Sequence, residues 1–138
     1  MEVQFIDHIK KNNLFDNSHN LLLAYSAGVD SSVLFNLLLN CKYKFSVAHC
    51  NYNLRGQHSD NDQRFIIEKA KIHKVKYHTR EFDISKINFK KSQSVQMKCR
   101  QLRYKWFNEL SKKYGYDFIL TAHHLNDSIE TFFINIFR

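Results

Sequence analysis

The segment Leu21–Leu39, which reads LLLAYSAGVDSSVLFNLLL, is apolar at both ends and polar in its middle. Its first part, Asn20–Tyr25, is short and predicts a buried strand, whereas Ser32–Asn40 predicts a buried helix. The polar stretch Ser26–Ser32 therefore lies on a turn that leads from a strand into a helix. A strand followed directly by a helix restricts the chain to folds in which helices pack against a sheet.

The rest of the chain continues this alternation of strands and helices. Further helices are predicted at Val3–Leu14, Ser59–His73, Ser94–Tyr114 and Asn126–Arg138, and further strands at Lys44–Cys50, Val75–Phe82 and Tyr116–Thr121. Neighbouring parallel strands need crossover connections, so this order predicts an α/β fold with a doubly wound, mainly parallel sheet covered on both faces.

The predicted helices other than Ser32–Asn40 each carry apolar residues about one helical turn apart, as one buried helical face requires. The residues predicted to face the core are Phe5, Ile9 and Leu14; Phe65, Ile66 and Ala70; Val95, Cys99, Leu102, Trp106 and Leu110; and Ile129, Phe132, Phe133, Ile136 and Phe137.

The composition allows a single domain and favours an anionic partner. A chain of 138 residues, 43% of them hydrophobic, is about the size of one domain with a real core. Lys and Arg number 21 against 13 Asp and Glu, a formal charge of +8, which indicates either a nucleotide or nucleic-acid partner or an ordinary lysine-rich surface.

Cysteine usage and the apolar runs indicate where the protein works. The 3 cysteines are widely spaced without a C-x-x-C pair, so neither a disulfide framework nor a zinc cluster is predicted, and a reducing cytoplasm fits best. Charged residues such as Asp7 and Asp30 interrupt the longest apolar stretches, so we expect neither a signal peptide nor a membrane span.

The polar turn has the chemistry of a phosphate site. Gly28 lets the backbone bend, Ser26, Ser31 and Ser32 offer hydroxyls, and the backbone amides at the helix start can cradle phosphate oxygens. Asp30 would repel phosphate unless a cation lies between them, which predicts Mg²⁺ there. A Ser/Asp helix cap is an equally good interpretation of these seven residues, and neither a Walker A loop nor a G-x-G-x-x-G motif is present.

Four blocks in order resemble a known family. The SAGVDSS turn resembles the S-G-G-x-D-S PP-loop of ATP pyrophosphatases, which cut ATP between its α and β phosphates and adenylate a substrate. The blocks VAHCNYNLRGQHSDND, MKCRQLRYKWF and ILTAHHLNDSIETFFINIFR are similar to motifs of the tRNA(Ile)-lysidine synthase family. The resemblance covers Leu21 to Arg138 and implies a fold of the adenine-nucleotide α-hydrolase type.

The resemblance implies a reaction as well as a fold. ATP would adenylate the C2 carbonyl oxygen of the wobble cytidine of tRNA(Ile) with anticodon CAU, and the lysine ε-amine would then displace AMP to give lysidine, so that AUA is read. The implied ligands are ATP, Mg²⁺, L-lysine and this tRNA; a homodimer is among the expected assemblies. Basic residues expected to touch the tRNA backbone are Lys42, Lys44, Arg55, Lys90 and Lys91, while Lys69, Lys71, Lys74 and Lys76 are interpreted as an ordinary solvated surface.

The family's roles pass to matching residues of this chain. The residues implied in nucleotide binding are Ser26, Ala27, Gly28, Val29, Asp30, Ser31, His49 and Asn51, with Asp30 also holding the metal. The residues implied in catalysis are Asp30, Arg100, Arg103, His123, Asp127 and Glu130, of which Asp127 and Glu130 would hold the lysine ammonium. If the last helix reaches back to His123, these last three share one face; without the resemblance, first-turn acids and a solvated arginine face are the simpler interpretations.

Some positions depart from the family pattern. Ala27 replaces the first of two usual glycines, so strain of order 1 kcal/mol follows if its φ is positive. Tyr52 and Asn53 replace the usual His and Gly, and Cys99 replaces an alanine. Because family members are longer, residues 1–138 are expected to form an N-terminal PP-loop ATP-binding domain that is incomplete at its C-terminal end, without the tRNA-binding C-terminal domains.

Three other functions remain open from the sequence. A tRNA thiolase also adenylates a base but typically has C-x-x-C pairs, which are missing here. An amide-forming PP-loop synthetase would lack the HxNxxLRG block. The third alternative is an ATP-binding module without full activity.

Overall fold

A computed structural model describes residues 2–52, 57–83, 94–123 and 133–137. The helices are α1 (Glu2–Lys11), α2 (Val29–Asn40), α3 (Gln57–Ile72) and α4 (Val95–Tyr114). The strands are β1 (Leu21–Ala24), β2 (Phe45–Asn51), β3 (Tyr77–Glu81), β4 (Phe118–His123) and β5 (Phe133–Phe137). Every predicted element up to β4 is confirmed, with ends that differ by a few residues.

The five strands form one sheet in the order β3-β2-β1-β4-β5. Strands β1 to β4 are parallel, with Leu21 paired to Phe45 of β2 and to Phe118 of β4. Strand β5 runs antiparallel to β4, with Phe137 opposite Ile119. The predicted doubly wound, mainly parallel sheet is therefore confirmed, and an antiparallel strand is added at one edge.

Alternate residues of each strand supply two cores, one on each face of the sheet. Leu21 and Leu23 pack with apolar residues of α1, α2 and α3, whereas Leu22 packs with residues of α4. Phe35 of α2 and Phe107 of α4 are almost completely buried on opposite faces. Because both faces are covered, the short strands read as continuous apolar runs, as parallel strands usually do.

Cap residues explain where α4 begins and ends. The Ser94 hydroxyl accepts a hydrogen bond from the Met97 amide at 3.1 Å, which satisfies one of the free N–H groups of the first turn. Gly115 follows the last turn with φ 74°, a left-handed conformation that glycine adopts without a steric cost. Among the described residues, no helix has both the length and the apolar character needed to cross a membrane.

The predicted helix Asn126–Arg138 is wrong where it can be compared, because residues 133–137 form β5. His123 is the last residue of β4, so it does not begin a helix that carries Asp127 and Glu130 on the same face. Residues 124–132 and 138 lie outside the described part, as do the predicted core positions Ile129 and Phe132.

Two residues predicted to face the core are exposed instead. Phe65 is 48% exposed, because the buried line of α3 runs through Ile66 and Ala70. Val95 is 44% exposed at the very start of α4, before the helix meets the sheet at Cys99. The other predicted core residues of α1, α3 and α4 are buried or pack against a core.

Candidate nucleotide-binding site

A cavity of about 370 Å³ opens at the carboxyl ends of β1, β2 and β4. It lies beside the point where the chain reverses its direction along the sheet, since β2 and β3 lie on one side of β1 and β4 on the other. In open α/β sheets, ligands bind at such a reversal because the loops there diverge and leave a crevice. The fold thus places Ser26 and Ser31 of the predicted turn in the wall of this cavity.

Ala27, rather than Gly28, bends the turn between β1 and α2. Ala27 has φ 67°, a left-handed conformation that costs an alanine about 1–2 kcal/mol. Gly28 has φ −76° and ψ 172°, which any residue can adopt, so the expectation that Gly28 supplies the bend is wrong. A Cβ at Gly28 would lie 3.3 Å from the Ser26 hydroxyl oxygen, so what glycine provides there is close approach.

Two serines hold the turn closed. The Ser26 and Ser31 hydroxyl oxygens lie 2.9 Å apart in a hydrogen bond, and the Ser26 amide donates to the Ser31 hydroxyl at 3.3 Å. The Gly28 amide in turn donates to the Ser26 hydroxyl at 3.3 Å. Ser26 and Ser31 both line the cavity, so the same hydroxyls that order the turn also face the space where a ligand would lie.

The amino end of α2 is open to an anion. Gly28 is the N-cap residue, and no side chain caps the helix there, so the alternative of a Ser/Asp cap is wrong. The first helical hydrogen bond runs from the Ser32 amide to the Gly28 carbonyl at 3.0 Å, which leaves the amides of Val29 and Asp30 without a helical acceptor. An anion is stabilised at such an end by these N–H groups and by the helix dipole.

Tyr25, directly after β1, has a hydroxyl that is held by two side chains. Its hydroxyl lies 2.6 Å from the Ser32 hydroxyl and accepts a hydrogen bond from the Lys69 amine at 3.3 Å. The Lys69 amine also lies 4.7 Å from the Phe35 ring centroid, within cation–π range. The prediction of Lys69 as an ordinary solvated residue is therefore wrong, and sequence spacing gives no signal for this contact across the fold.

His49 lies in the cavity wall at the end of β2 and is 7% exposed. Its Nδ1 lies 2.8 Å from the Tyr25 carbonyl oxygen, which can only accept, so Nδ1 carries the proton. Burial lowers the pKa of His49, and the ring is therefore neutral at neutral pH with an Nε2 lone pair. Asn51, two residues on, donates from its amide to Asp60 at 3.1 Å and to Gln63 at 2.9 Å.

Residues of α4 and β2 form the wall facing the turn. Arg103 lines the cavity, and its Nε is buried with no hydrogen-bond partner among the described residues, which leaves a donor that a ligand oxygen could satisfy. The Tyr52 hydroxyl donates to the Cys99 carbonyl at 2.9 Å, and its ring stacks on Phe82 with centroids 5.7 Å apart. Burial raises the pKa of Tyr52 and raises that of Cys50 to about 12, so both are neutral at physiological pH.

Of the four remaining residues predicted to act in catalysis, Arg100 and His123 are described and Asp127 and Glu130 are not. Arg100 is exposed and does not line the cavity; its guanidinium carbon lies 5.0 Å from the Tyr104 ring centroid. The backbone of His123 ends β4, next to Thr121 and Ala122 of the cavity wall. Asp127 and Glu130 lie outside the described residues, and their roles stay predictions.

The described residues are better suited to a magnesium ion shared with phosphate than to a metal bound only by protein side chains. No group of three His, Cys, Asp or Glu side chains in the described ranges could hold a metal ion. Mg²⁺ is usually bound by one or two carboxylates together with substrate phosphates and water, and Asp30 is a partly exposed carboxylate in the first turn of α2. Asp30 is thus suited to a metal that arrives with a phosphate ligand.

A parallel sheet whose chain reversal carries an uncapped helix start and a polar turn defines an α/β protein of the nucleotide-binding class. Comparison with protein families agrees with this class. Residues 1–138 match the model of the PP-loop domain, and the chain belongs to that family.

Several curated relatives are tRNA(Ile)-lysidine synthases. The one from Bacteroides thetaiotaomicron is 35% identical over 138 residues, covering 100% of this chain and 32% of the relative. The one from Chlorobaculum tepidum is 35% identical, covering 99% and 43%, and one from Clostridium perfringens is 34% identical, covering 100% and 30%. The chain therefore spans about a third of the length of these relatives.

Proposed function

We propose that the cavity binds ATP with its triphosphate at the amino end of α2. The observation that carries this proposal is the uncapped start of α2, which lies directly beside Ser26 and Ser31 in the wall of the cavity. Ser26 and Ser31 would contact phosphate oxygens, together with the backbone of Ala27, Gly28 and Val29.

Asp30 would hold Mg²⁺ against the phosphates, and the ion would offset negative charge there while a phosphate bond breaks. His49 and Asn51 would bound the nucleotide on the β2 side. The neutral His49 ring adds no charge and offers Nε2 as an acceptor at the cavity wall.

We further propose that the nucleotide serves tRNA(Ile)-lysidine synthesis in the cytoplasm. The reason is that the relatives above, which are tRNA(Ile)-lysidine synthases, match this chain over its whole length or nearly so. The C2 carbonyl oxygen of wobble cytidine 34 in the CAU anticodon would attack the α-phosphorus, and the bond to the β-phosphate would break to release pyrophosphate. The lysine ε-amine would then attack C2, the C2–O bond would break, and AMP would leave. The proton that the amine loses would pass to a carboxylate.

Arg103 is the described cation best placed to stabilise charge in this reaction, because its Nε lies buried in the cavity wall and has no hydrogen-bond partner in the described part of the chain. Arg100 would act nearer the surface. We propose that Asp127 and Glu130 bind the lysine ammonium and that His123 lies near the reacting carbon, as the family motif implies.

The proposal is tested by incubating the chain with ATP, Mg²⁺, lysine and a tRNA(Ile) transcript and measuring the mass of nucleoside 34. We expect lysine to be added to nucleoside 34. We also expect a Ser31→Ala variant to bind ATP more weakly than the unaltered chain. In parallel, titration calorimetry measures ATP binding by the chain alone. Sulfur in place of lysine would identify a thiolase; ATP binding without any product would identify a binding module; no ATP binding would contradict the site itself.

A further inference from the structure

A compact group of basic and aromatic side chains lies where the end of α4 meets the start of β3. Lys76 and His78 flank the first residue of β3, Lys113 and Tyr114 close α4, and Tyr116 precedes β4. We call these five residues the amino-edge patch. Because it lies at the amino ends of the strands, it is at the opposite end of the sheet from the cavity.

The Tyr114 ring brings two lysine amines together at the surface. The Lys76 amine lies 4.1 Å and the Lys113 amine 5.4 Å from its centroid, both within cation–π range. Tyr114 is 37% exposed, so the charges that it gathers face solvent. Two like charges beside one ring repel each other, and a bound anion would relieve that repulsion.

His78 fixes the aromatic part of the patch and does not add charge. Its Nε2 lies 2.7 Å from the Tyr116 hydroxyl, and its ring centroid lies 4.6 Å from that of Tyr114. Burial, followed by the charges of Lys76 and Lys113, lowers the pKa of His78. The imidazole is therefore neutral at pH 7, and the two amines are the cations of the patch.

The same edge of the sheet carries further lysines. Lys44 directly precedes β2, and its carbonyl accepts from the Leu21 amide, while Lys112 is next to Lys113 in sequence and Lys74 is two residues before Lys76. These lysines are exposed. The carboxylate of Asp117 at this edge is already engaged, accepting from the Asn20 amide at 2.7 Å.

We propose that the amino-edge patch binds the phosphate backbone of RNA. Phosphates fit it because its cations are exposed, close together and held in place by a ring, while its histidine is neutral. Tyr77 at the start of β3 pairs with Val47, roughly 13 Å along β2 from Asn51 in the cavity wall. A nucleotide whose phosphates lie at α2 therefore leaves the patch free for a separate phosphate, which a folded RNA supplies. The choice of RNA rests on the proposed function, whereas the surface is not part of that proposal. Lys76, predicted to be an ordinary solvated residue, becomes part of a binding surface.

The test compares two variants that remove the same charge from different faces. Lys76→Gln/Lys113→Gln alters the patch, whereas Lys10→Gln/Lys11→Gln alters the exposed end of α1, across the sheet. Binding to a tRNA(Ile) transcript is measured by fluorescence anisotropy over a range of KCl concentrations. ATP affinity and the melting temperature of each variant are measured beside it, and Lys76→Arg/Lys113→Arg serves as the charge-preserving control.

We expect the patch variant to bind tRNA about tenfold more weakly at low salt. Its plot of log K against log salt should also be less steep by roughly 1.4–1.8, the effect of two lost phosphate contacts. ATP affinity stays unchanged, the arginine variant keeps tRNA binding, and the α1 variant loses far less. Equal losses of tRNA affinity in the two glutamine variants would overturn this inference and leave the proposed function standing. If the unaltered chain binds ATP but no tRNA, the inference and the tRNA part of the proposed function both fail.

A last arm distinguishes RNA from another polyanion. Vesicles of phosphatidylcholine and phosphatidylserine in equal parts are sedimented with the unaltered chain and the patch variant. We expect no patch-dependent binding to vesicles. Patch-dependent binding to vesicles without patch-dependent binding to tRNA would assign the surface to membranes and overturn the inference.

Discussion

Ala27 is the residue at which the turn carries backbone strain. Its φ of 67° is one that glycine adopts freely and alanine does not. The turn is held there by hydrogen bonds among Ser26, Gly28 and Ser31, which define the path of the backbone around it. The strain therefore lies beside the free amides of α2, where a ligand would approach most closely.

We predict that Ala27→Gly stabilises the protein by about 1 kcal/mol, because the gain from relieving the left-handed strain exceeds the added entropy of glycine in the unfolded chain. Urea denaturation measures the change. Ala24→Gly is the matched control, because Ala24 lies within β1 and has an ordinary φ, so this change destabilises. Equal destabilisation by the two variants would show that the bend at position 27 is not strained.

The sequence identifies the turn well but not the side chains that support it. SAGVDSS marks a strand-to-helix turn because glycine, serine and aspartate follow an apolar run and precede another. Tyr25 and Lys69 give no such signal, because their contact joins residues 44 positions apart and depends on how α3 packs over β1. The sequence predicts the bend at Gly28 because glycine is the residue type expected at a positive φ, and the fold shows that Ala27 has that conformation.

Strand β5 shows a limit of sequence periodicity for a short element. Phe133–Phe137, FINIF, is five residues long, and apolar residues at spacings of one, three and four fit both a helical stripe and a buried strand. The longer α4, by contrast, was predicted correctly because its 20 residues repeat the stripe several times and end at a glycine. Pairing of β5 with β4 comes from sheet contacts that the local sequence does not encode.

Tyr52 connects two elements, since it follows β2 and bonds to α4. Its hydroxyl donates to the Cys99 carbonyl, and Arg103 follows one helical turn later. We predict that Tyr52→Phe, which keeps the stack on Phe82, lowers the free energy of unfolding by about 1 kcal/mol through loss of this hydrogen bond. Urea denaturation of the variant and of the unaltered chain provides the measurement.

Tyr77→Phe is the control for Tyr52→Phe, because the Tyr77 hydroxyl makes no hydrogen bond within the described ranges, and we expect its effect to be close to zero. If Tyr52→Phe is as stable as the unaltered chain, the contact does not hold β2 against α4. The Arg103 side of the cavity would then be positioned by α4 alone.

At the scale of the whole molecule, burial of titratable groups on both faces of the sheet sets a pH range of greatest stability. The pKa values of His49 and His78 are lowered in the fold, chiefly by burial. The unfolded chain therefore binds more protons as pH falls below about 6.5, and stability that is present above that pH is lost toward acid. Burial acts in the opposite direction on thiols, because it favours their protonated form.

Cys50 dominates the alkaline side, because burial raises its pKa from 9.0 to about 12. Between pH 8 and pH 10 the thiol ionises only in the unfolded chain, so we predict that Cys50 alone accounts for a loss of about 1.4 kcal/mol in the free energy of unfolding. Urea denaturation at pH 5.5, 7.5 and 10 should thus give a maximum near pH 7.5. Cys50→Ala should reduce the loss of unfolding free energy at alkaline pH, and His49→Asn should reduce the loss at acid pH, each without changing the other. If Cys50→Ala leaves the alkaline loss unchanged, Cys50 is not shielded from water by α4.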